Sequence, residues 1–249
     1  MTEAPPRWQA LLVGVSTYVH GTSGPGFAQA LNSQGELARA LDRDMPGLHG
    51  DSLVPLPEPR YAHEVTDAVA ALNARHDTDA RAGLGGSGLL FYYCGHGMNA
   101  RGELCLAMAE SIDDRYNRRR TGLALGDLML TVLASKWPRQ RVVLILDCCF
   151  SGLAEAEPEA ESAHLLMAVG PKVLATHDPR GVGPTHFTGA LVDLLRRGDP
   201  EAGAWINLDT AFRLLEPRLV RQHGPDRAPR QRPVGDSGSI VLGPNHAHR

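Results

Sequence analysis

Arg141-Val142-Val143-Leu144-Ile145-Leu146-Asp147-Cys148-Cys149-Phe150-Ser151-Gly152 is the stretch that decides the fold. Its aliphatic run is short, rich in β-branched residues and without a polar face. Such a run reads as a strand buried on both sides, which a parallel sheet between two helix layers requires. It stops abruptly on an aspartate and two thiols. Leu89-Leu90-Phe91-Tyr92-Tyr93 repeats the pattern after the glycine-rich turn Gly83 to Gly88, and stops on Cys94-Gly95-His96-Gly97. In open α/β sheets ligands bind outside the carboxyl ends of the strands. If the two strands are neighbours, both polar stops share one edge.

Outward from these two strands, strand and helix patterns alternate. Ala10 to Tyr18 reads as a buried strand, and His20 to Gly26 as a loop. Phe27, Leu31, Leu37, Ala38 and Leu41 recur at helical spacing and stop at Asp44-Met45-Pro46-Gly47. Ser52 to Leu56 predicts a short strand and Ala62 to Ala74 a helix. Leu104 to Met108 predicts a small strand, and Leu123 to Leu133 a helix ended before Trp137-Pro138. Lys172 to Thr176 predicts a further strand, Phe187 to Leu195 and Leu208 to Gln222 two helices, and Ser239 to Leu242 a last strand. The alternation predicts an α/β fold: one domain over 10–243, with a mostly parallel central sheet and helices on both faces. Residues 1–9 read as an extension and 244–249 as a frayed tail. Gly152 to Ala163, with four glutamates, and the Arg/Pro-rich His223 to Arg232 read as mobile loops.

Composition narrows the function classes. The 249 residues are 43% hydrophobic and carry 25 Lys+Arg against 28 Asp+Glu, a net charge of −3. No basic excess points to nucleic acid. No apolar run approaches the ~18 residues of a membrane span, and Met1 to Gln9 lacks the apolar core of a signal peptide. The cytoplasm is the expected compartment. The cysteines at 94, 105, 148 and 149 form no CxxC pair for zinc and are expected as free thiols. Gly21 to Gly26 matches neither a phosphate loop nor a dinucleotide fingerprint, so no nucleotide is expected there.

An imidazole beside a thiol can take its proton and later protonate a leaving amine. His96 and a thiol of the 147–152 motif suit that pairing. Gly95 and Gly97 allow close backbone approach, and N–H groups near Gly97 and Cys149 suit an oxyanion. The pattern predicts a Cys/His dyad for acyl transfer, most simply peptide hydrolysis. Taken singly, Gly-His-Gly is more often a turn and a strand-terminal cysteine more often a small buried hydrophobe.

Tyr93-Cys94-Gly95-His96-Gly97 and Asp147-Cys148-Cys149-Phe150-Ser151-Gly152 resemble the histidine and cysteine motifs of the caspase-like cysteine peptidases, in the metacaspase and bacterial stand-alone branch. In caspases the histidine lies about 50 residues upstream of the cysteine, and these two motifs keep that spacing. The resemblance runs over roughly residues 10 to 243. It implies the caspase-like three-layer fold and a cysteine endopeptidase of a bacterial conflict or regulated cell-death system, acting on a peptide or protein substrate. By position, His96 becomes the general base and then acid, Cys149 the nucleophile, and Cys148 a bystander. The amides of Gly97 and Cys149 become the oxyanion donors. Asp147 matches the aspartate that lines the metacaspase pocket for Arg or Lys before the cut, and Cys94 would touch the pocket wall.

The chain also departs from the family. Asn32-Ser33 stands where metacaspases carry Asn-Asp, and the nearest acid is Glu36. No obligatory cofactor and no metal are expected. Calcium activation, known among metacaspases, would have only Asp113 and Asp114 to draw on, against a cage of six to eight oxygens. Arg118-Arg119-Arg120 is a solvated face or a self-cleavage site. Caspases pair through a sheet edge and metacaspases are monomers, so both oligomeric states stay open. A non-catalytic caspase-fold adaptor is the alternative, and a Cys148–Cys149 redox switch a third reading.

Overall fold

The structure is a computed structural model and describes residues 7–20, 27–84, 87–172, 181 and 183–248. Its elements in chain order are β1 (Trp8–Gly14), α1 (Gln29–Asp44), β2 (Leu53–Pro57), α2 (Ala62–Arg81), β3 (Gly88–Gly95), β4 (Gly97–Ala100), β5 (Glu103–Leu106), α3 (Arg118–Thr121), β6 (Leu123–Ala124), α4 (Leu125–Leu133), β7 (Val142–Cys148), β8 (His164–Met167), α5 (His186–Arg197), β9 (Trp205–Asn207), α6 (Leu208–His223), β10 (Arg230–Arg232) and β11 (Val241–Pro244).

Among the described residues the central sheet has six strands in the order β10-β8-β7-β3-β1-β2. Five of them run parallel, and β10 lies antiparallel on the β8 edge. Alternate residues of each strand serve opposite faces. Leu12, Leu90, Tyr92, Val143 and Ile145 pack with α1, α5 and α6, while Leu11, Val13, Phe91, Tyr93, Leu144 and Leu146 pack with α2 and α4. Two apolar layers therefore explain two strands with no polar alternation. A small antiparallel sheet, β4-β5-β6, branches off directly after His96.

The structure adds β8 to the expected elements and gives defined structure to the 152–163 and 223–232 segments. The strand beside β7 is His164–Met167. Of the Lys172–Thr176 strand, Lys172 stands in a turn and the rest lies outside the described residues. The acidic 152–163 segment is built from two 3-10 turns, Ser151–Ala156 and Pro158–Ser162, with Ala154 and Ala160 buried in the core. It is pinned by arginines from β10: Arg230 bonds the Glu155 carboxylate at 2.7 Å, and Arg232 donates to the carbonyls of Glu155 and Ala160. The same contacts order the 223–232 segment.

The ends also differ from expectation. Trp8 and Gln9 belong to β1. Asn245, in the expected tail, is buried and donates to the carbonyls of Asp199, Ala202 and Gly203. α2 outruns its apolar stripe because His76 stacks on Trp137 at 4.0 Å and Asn73 bonds both Trp137 Nε1 and the Thr131 carbonyl.

His164 is fully buried on β8, 2.8 Å from Ser237 Oγ and 3.0 Å from Gln231 Nε2. Burial pushes its pKa down to about 4 from 6.5. The unfolded chain therefore takes up this proton first, and stability falls as the pH drops from 6.5 towards 4. At about 1.4 kcal/mol per pH unit the loss is about 3 kcal/mol. Denaturant melts of wild type and His164→Gln should show the stability gap between them shrinking by that amount between pH 7 and pH 4. A constant gap would refute the buried neutral imidazole.

Candidate active site

The pairing of β3 with β7 creates the site. Cys94 is in register with Asp147 and Gly95 with Cys148. His96 and Cys149 are the next residues on each chain, so both leave the sheet at one edge, side by side. Gly97 follows with no room for a side chain, since a Cβ there would overlap the Cys149 carbonyl oxygen. The two expected oxyanion amides thus belong to backbones in contact. His96 and Cys149 are each partly exposed.

The main chain of His96 is held at both ends. Its N–H donates to the Tyr18 hydroxyl at 2.7 Å. Its carbonyl accepts the Ala107 N–H at 2.9 Å and the Tyr93 hydroxyl at 3.0 Å. Gly95 makes this possible, because a Cβ there would stand 2.8 Å from the Tyr18 hydroxyl oxygen. The imidazole lies 4.4 Å from the Tyr18 ring, tilted by 45°, and stacks on Phe27 at 5.8 Å. Burial raises the Tyr18 pKa, so the phenol stays neutral and keeps its proton for the Val15 carbonyl at 3.0 Å. Tyr18 is in turn placed by Glu58, whose carboxylate accepts the N–H groups of Ser16 and Thr17 and the Ser16 hydroxyl. Glu58 adopts φ +51°, left-handed for a non-glycine residue.

Cys149 sits in an equally tight turn. Phe150 has φ +58° and a short 3-10 turn begins at Ser151. The Ser151 hydroxyl donates to the Val169 carbonyl at 3.1 Å and accepts its N–H at 3.2 Å, fixing the turn to the chain after β8. The other thiols are buried. Burial pushes Cys105 up to about 12 and holds Cys94 and Cys148 well above the ordinary thiol value.

Asp147 points the other way. It is 1% exposed, and its Oδ2 accepts the hydroxyls of Thr185 and Thr188 at the start of α5, the latter at 2.5 Å. Thr185 caps α5 by accepting the Thr188 N–H, and its own N–H donates to Ser33 at 2.9 Å. Tyr92 completes the network, 2.8 Å from the Thr188 hydroxyl. Burial raises the Asp147 pKa against these hydrogen bonds. Its Oδ1 bonds no described nitrogen or oxygen, and the residue lines a small cavity with Ala168, Val169, His186, Phe187, Leu219, His223 and Arg227. His186 and His223 are stacked there at 4.0 Å. Cys94, expected in an accessible pocket wall, is instead sealed in the core beneath α1 and α5.

Other expected residues lie apart from the site. Glu36 is paired with Arg39 and Arg196. Asp113 pairs with Arg118, while Asp114 accepts N–H groups of its own loop. Among the described residues no group of three His, Cys, Asp or Glu could hold a metal ion. Arg119 is tied to Glu103 and Asp127. Sequence reasoning missed Tyr18, Glu58, Ser33 as a partner, Thr185 and Thr188. Thr185 carried a signal, a threonine just before a helix. The others act through contacts between distant segments.

No protein-family model matches the chain, and no curated protein matches it. The site is therefore read from its own geometry.

Because one thiol of the four reaches the surface, iodoacetamide should alkylate Cys149 first, as read by mass spectrometry. His96→Ala should slow that reaction at pH 6–7 by about tenfold or more, as expected on losing a neighbouring proton acceptor. Tyr18→Phe, which removes the acceptor of the His96 N–H, should slow it severalfold. Labelling that ignores both changes would separate His96 from the thiol.

Proposed function

We propose that the chain is a cysteine endopeptidase with a caspase-like three-layer fold. The observation that carries this reading is the register of β3 on β7, from which the backbones of His96 and Cys149 emerge next to each other at the carboxyl edge of a parallel sheet. Each of the two residues is partly exposed beyond the end of its strand. In the proposed reaction Cys149 Sγ gives its proton to His96 and attacks the peptide carbonyl. The amides of Gly97 and Cys149 receive the oxyanion. His96 returns the proton to the leaving amine as the C–N bond breaks. Water, deprotonated by His96, then hydrolyses the thioester and restores the thiol.

The proposed preference is for Arg or Lys before the cut, on the resemblance of Asp147 to the metacaspase pocket aspartate; the side chain is 1% exposed, so the substrate would have to displace its cover to meet it. A guanidinium reaching it would form charge-assisted hydrogen bonds. The reading invokes no cofactor and takes a peptide as its only partner. Among the described residues no helix is long and apolar enough to cross a membrane, which suits the proposed cytoplasmic setting.

Fluorogenic peptides ending in Arg, Lys or Asp test both parts. Wild type should cleave the Arg peptide at least about tenfold faster than the Asp peptide, and Asp147→Asn should erase the difference. Cys149→Ala should lose at least about a thousandfold in kcat. Equal turnover by Cys149→Ala, or none by wild type on any peptide, would replace the peptidase with the adaptor reading. A reversed preference would pass specificity to Arg227 in the same cavity.

A further inference from the structure

Among the described residues three non-glycines have a left-handed φ: Glu58, Arg101 and Phe150. Glu58 and Phe150 belong to the candidate active site, where such backbone costs are commonly kept. Arg101 belongs elsewhere. It forms the tip of the β4–β5 hairpin with Gly102, at φ +60° and +97°. A two-residue turn with both φ positive favours Asn, Asp or Gly at its first position. An arginine there is costly to the fold and brings a cation to the tip.

Arg101 lines a cavity of about 460 Å3 together with Asn99, Ala100, Arg115, Tyr116 and Arg118. Three arginines line it in a chain whose net charge is −3. Arg118 is fixed by Asp113 and by the Asn99 carbonyl at 3.0 Å. Arg115 lies over the Tyr116 ring at 4.3 Å and donates to its hydroxyl. Asp114 is engaged within its own loop, accepting the Tyr116 N–H at 2.8 Å. Arg101 and Arg115 therefore have no carboxylate partner among the described residues. Tyr116 is 63% exposed and offers ring surface in the same cavity.

We propose that this cavity binds a nucleoside polyphosphate. The planar guanidinium fork matches phosphate oxygens, and several guanidiniums in one cavity match several linked phosphates. The Tyr116 ring supplies a stacking surface for the base. The volume falls in the range of small-ligand sites, about 300–1,000 Å3. The site is separate from the proposed peptidase chemistry. It lies at the far end of β4, three residues beyond Gly97, or about 10 Å along a strand.

Isothermal titration of the full chain with ATP, tripolyphosphate, adenosine and a hexaglutamate peptide tests the proposal without reading peptidase activity. ATP should bind most tightly and tripolyphosphate more weakly, both losing affinity as salt is raised. Adenosine and hexaglutamate should give no measurable heat. Arg101→Gly relieves the backbone while removing the cation, so it should keep or raise the melting temperature yet weaken ATP about tenfold or more. Arg115→Ala should do the same to binding, and Tyr116→Ala should bring ATP down to the level of tripolyphosphate. Absence of ATP and tripolyphosphate binding, an unchanged affinity in Arg101→Gly, or equal binding of hexaglutamate would overturn the site. Equal binding of tripolyphosphate and ATP by wild type would overturn the nucleoside part.

Discussion

The pairing of β3 with β7 is the constraint on which the site depends. Both strands are buried on both faces, so neither can slide without moving a whole row of side chains. A one-residue slip would exchange the α1/α5/α6 row for the α2/α4 row. Tyr92 and Tyr93 forbid such an exchange most strongly. One hydroxyl meets Thr188 on the α5 side, and the other meets His96 and Ala107 on the small-sheet side. Core packing thus sets the register, and the register sets which residues emerge at the edge. The chemistry proposed for His96 and Cys149 inherits its geometry from Leu, Ile and Phe.

Beyond the strand ends, hydrogen bonds take over from packing. His96 is fixed through its backbone at N–H and C=O, and its imidazole packs against the Tyr18 and Phe27 rings. Cys149 is fixed by the turn around Phe150 and the Ser151 bracket to Val169. Two residues with left-handed backbones stand close to this edge in chain contacts, Glu58 behind Tyr18 and Phe150 after the thiol. Each such conformation costs of order 1–3 kcal/mol. The surrounding bonds must outweigh that cost, and in doing so they make the edge rigid, as a preorganised site needs.

What was legible in the sequence was whatever burial writes into the order of residues. β3 and β7 were visible because double-sided burial leaves an unbroken apolar run. α1, α4, α5 and α6 were visible because single-sided burial leaves a stripe. β8 was not, because His164 opens it and glutamates precede it. Its neighbours Ser237 and Gln231 satisfy that histidine from more than sixty residues away. The acidic segment looked mobile because its anchors, Arg230 and Arg232, arrive from another part of the chain. The same limit hid Tyr18 and Glu58. A motif names the residues at a strand end, whereas the contacts that hold them are set by tertiary proximity.

Asp147 shows how the place of a side chain follows from the sequence while its partners do not. Its position at the end of β7 follows from the strand, yet its Oδ2 is committed to Thr185 and Thr188, binding the sheet to the first turn of α5. A carboxylate there is favoured by the helix N-terminus and its hydroxyl donors. Burial opposes the charge and prevails in raising the pKa. A cation beside Oδ1 would favour the ionised form. Fold anchor and proposed specificity element are compatible because they use different oxygens of one carboxyl group.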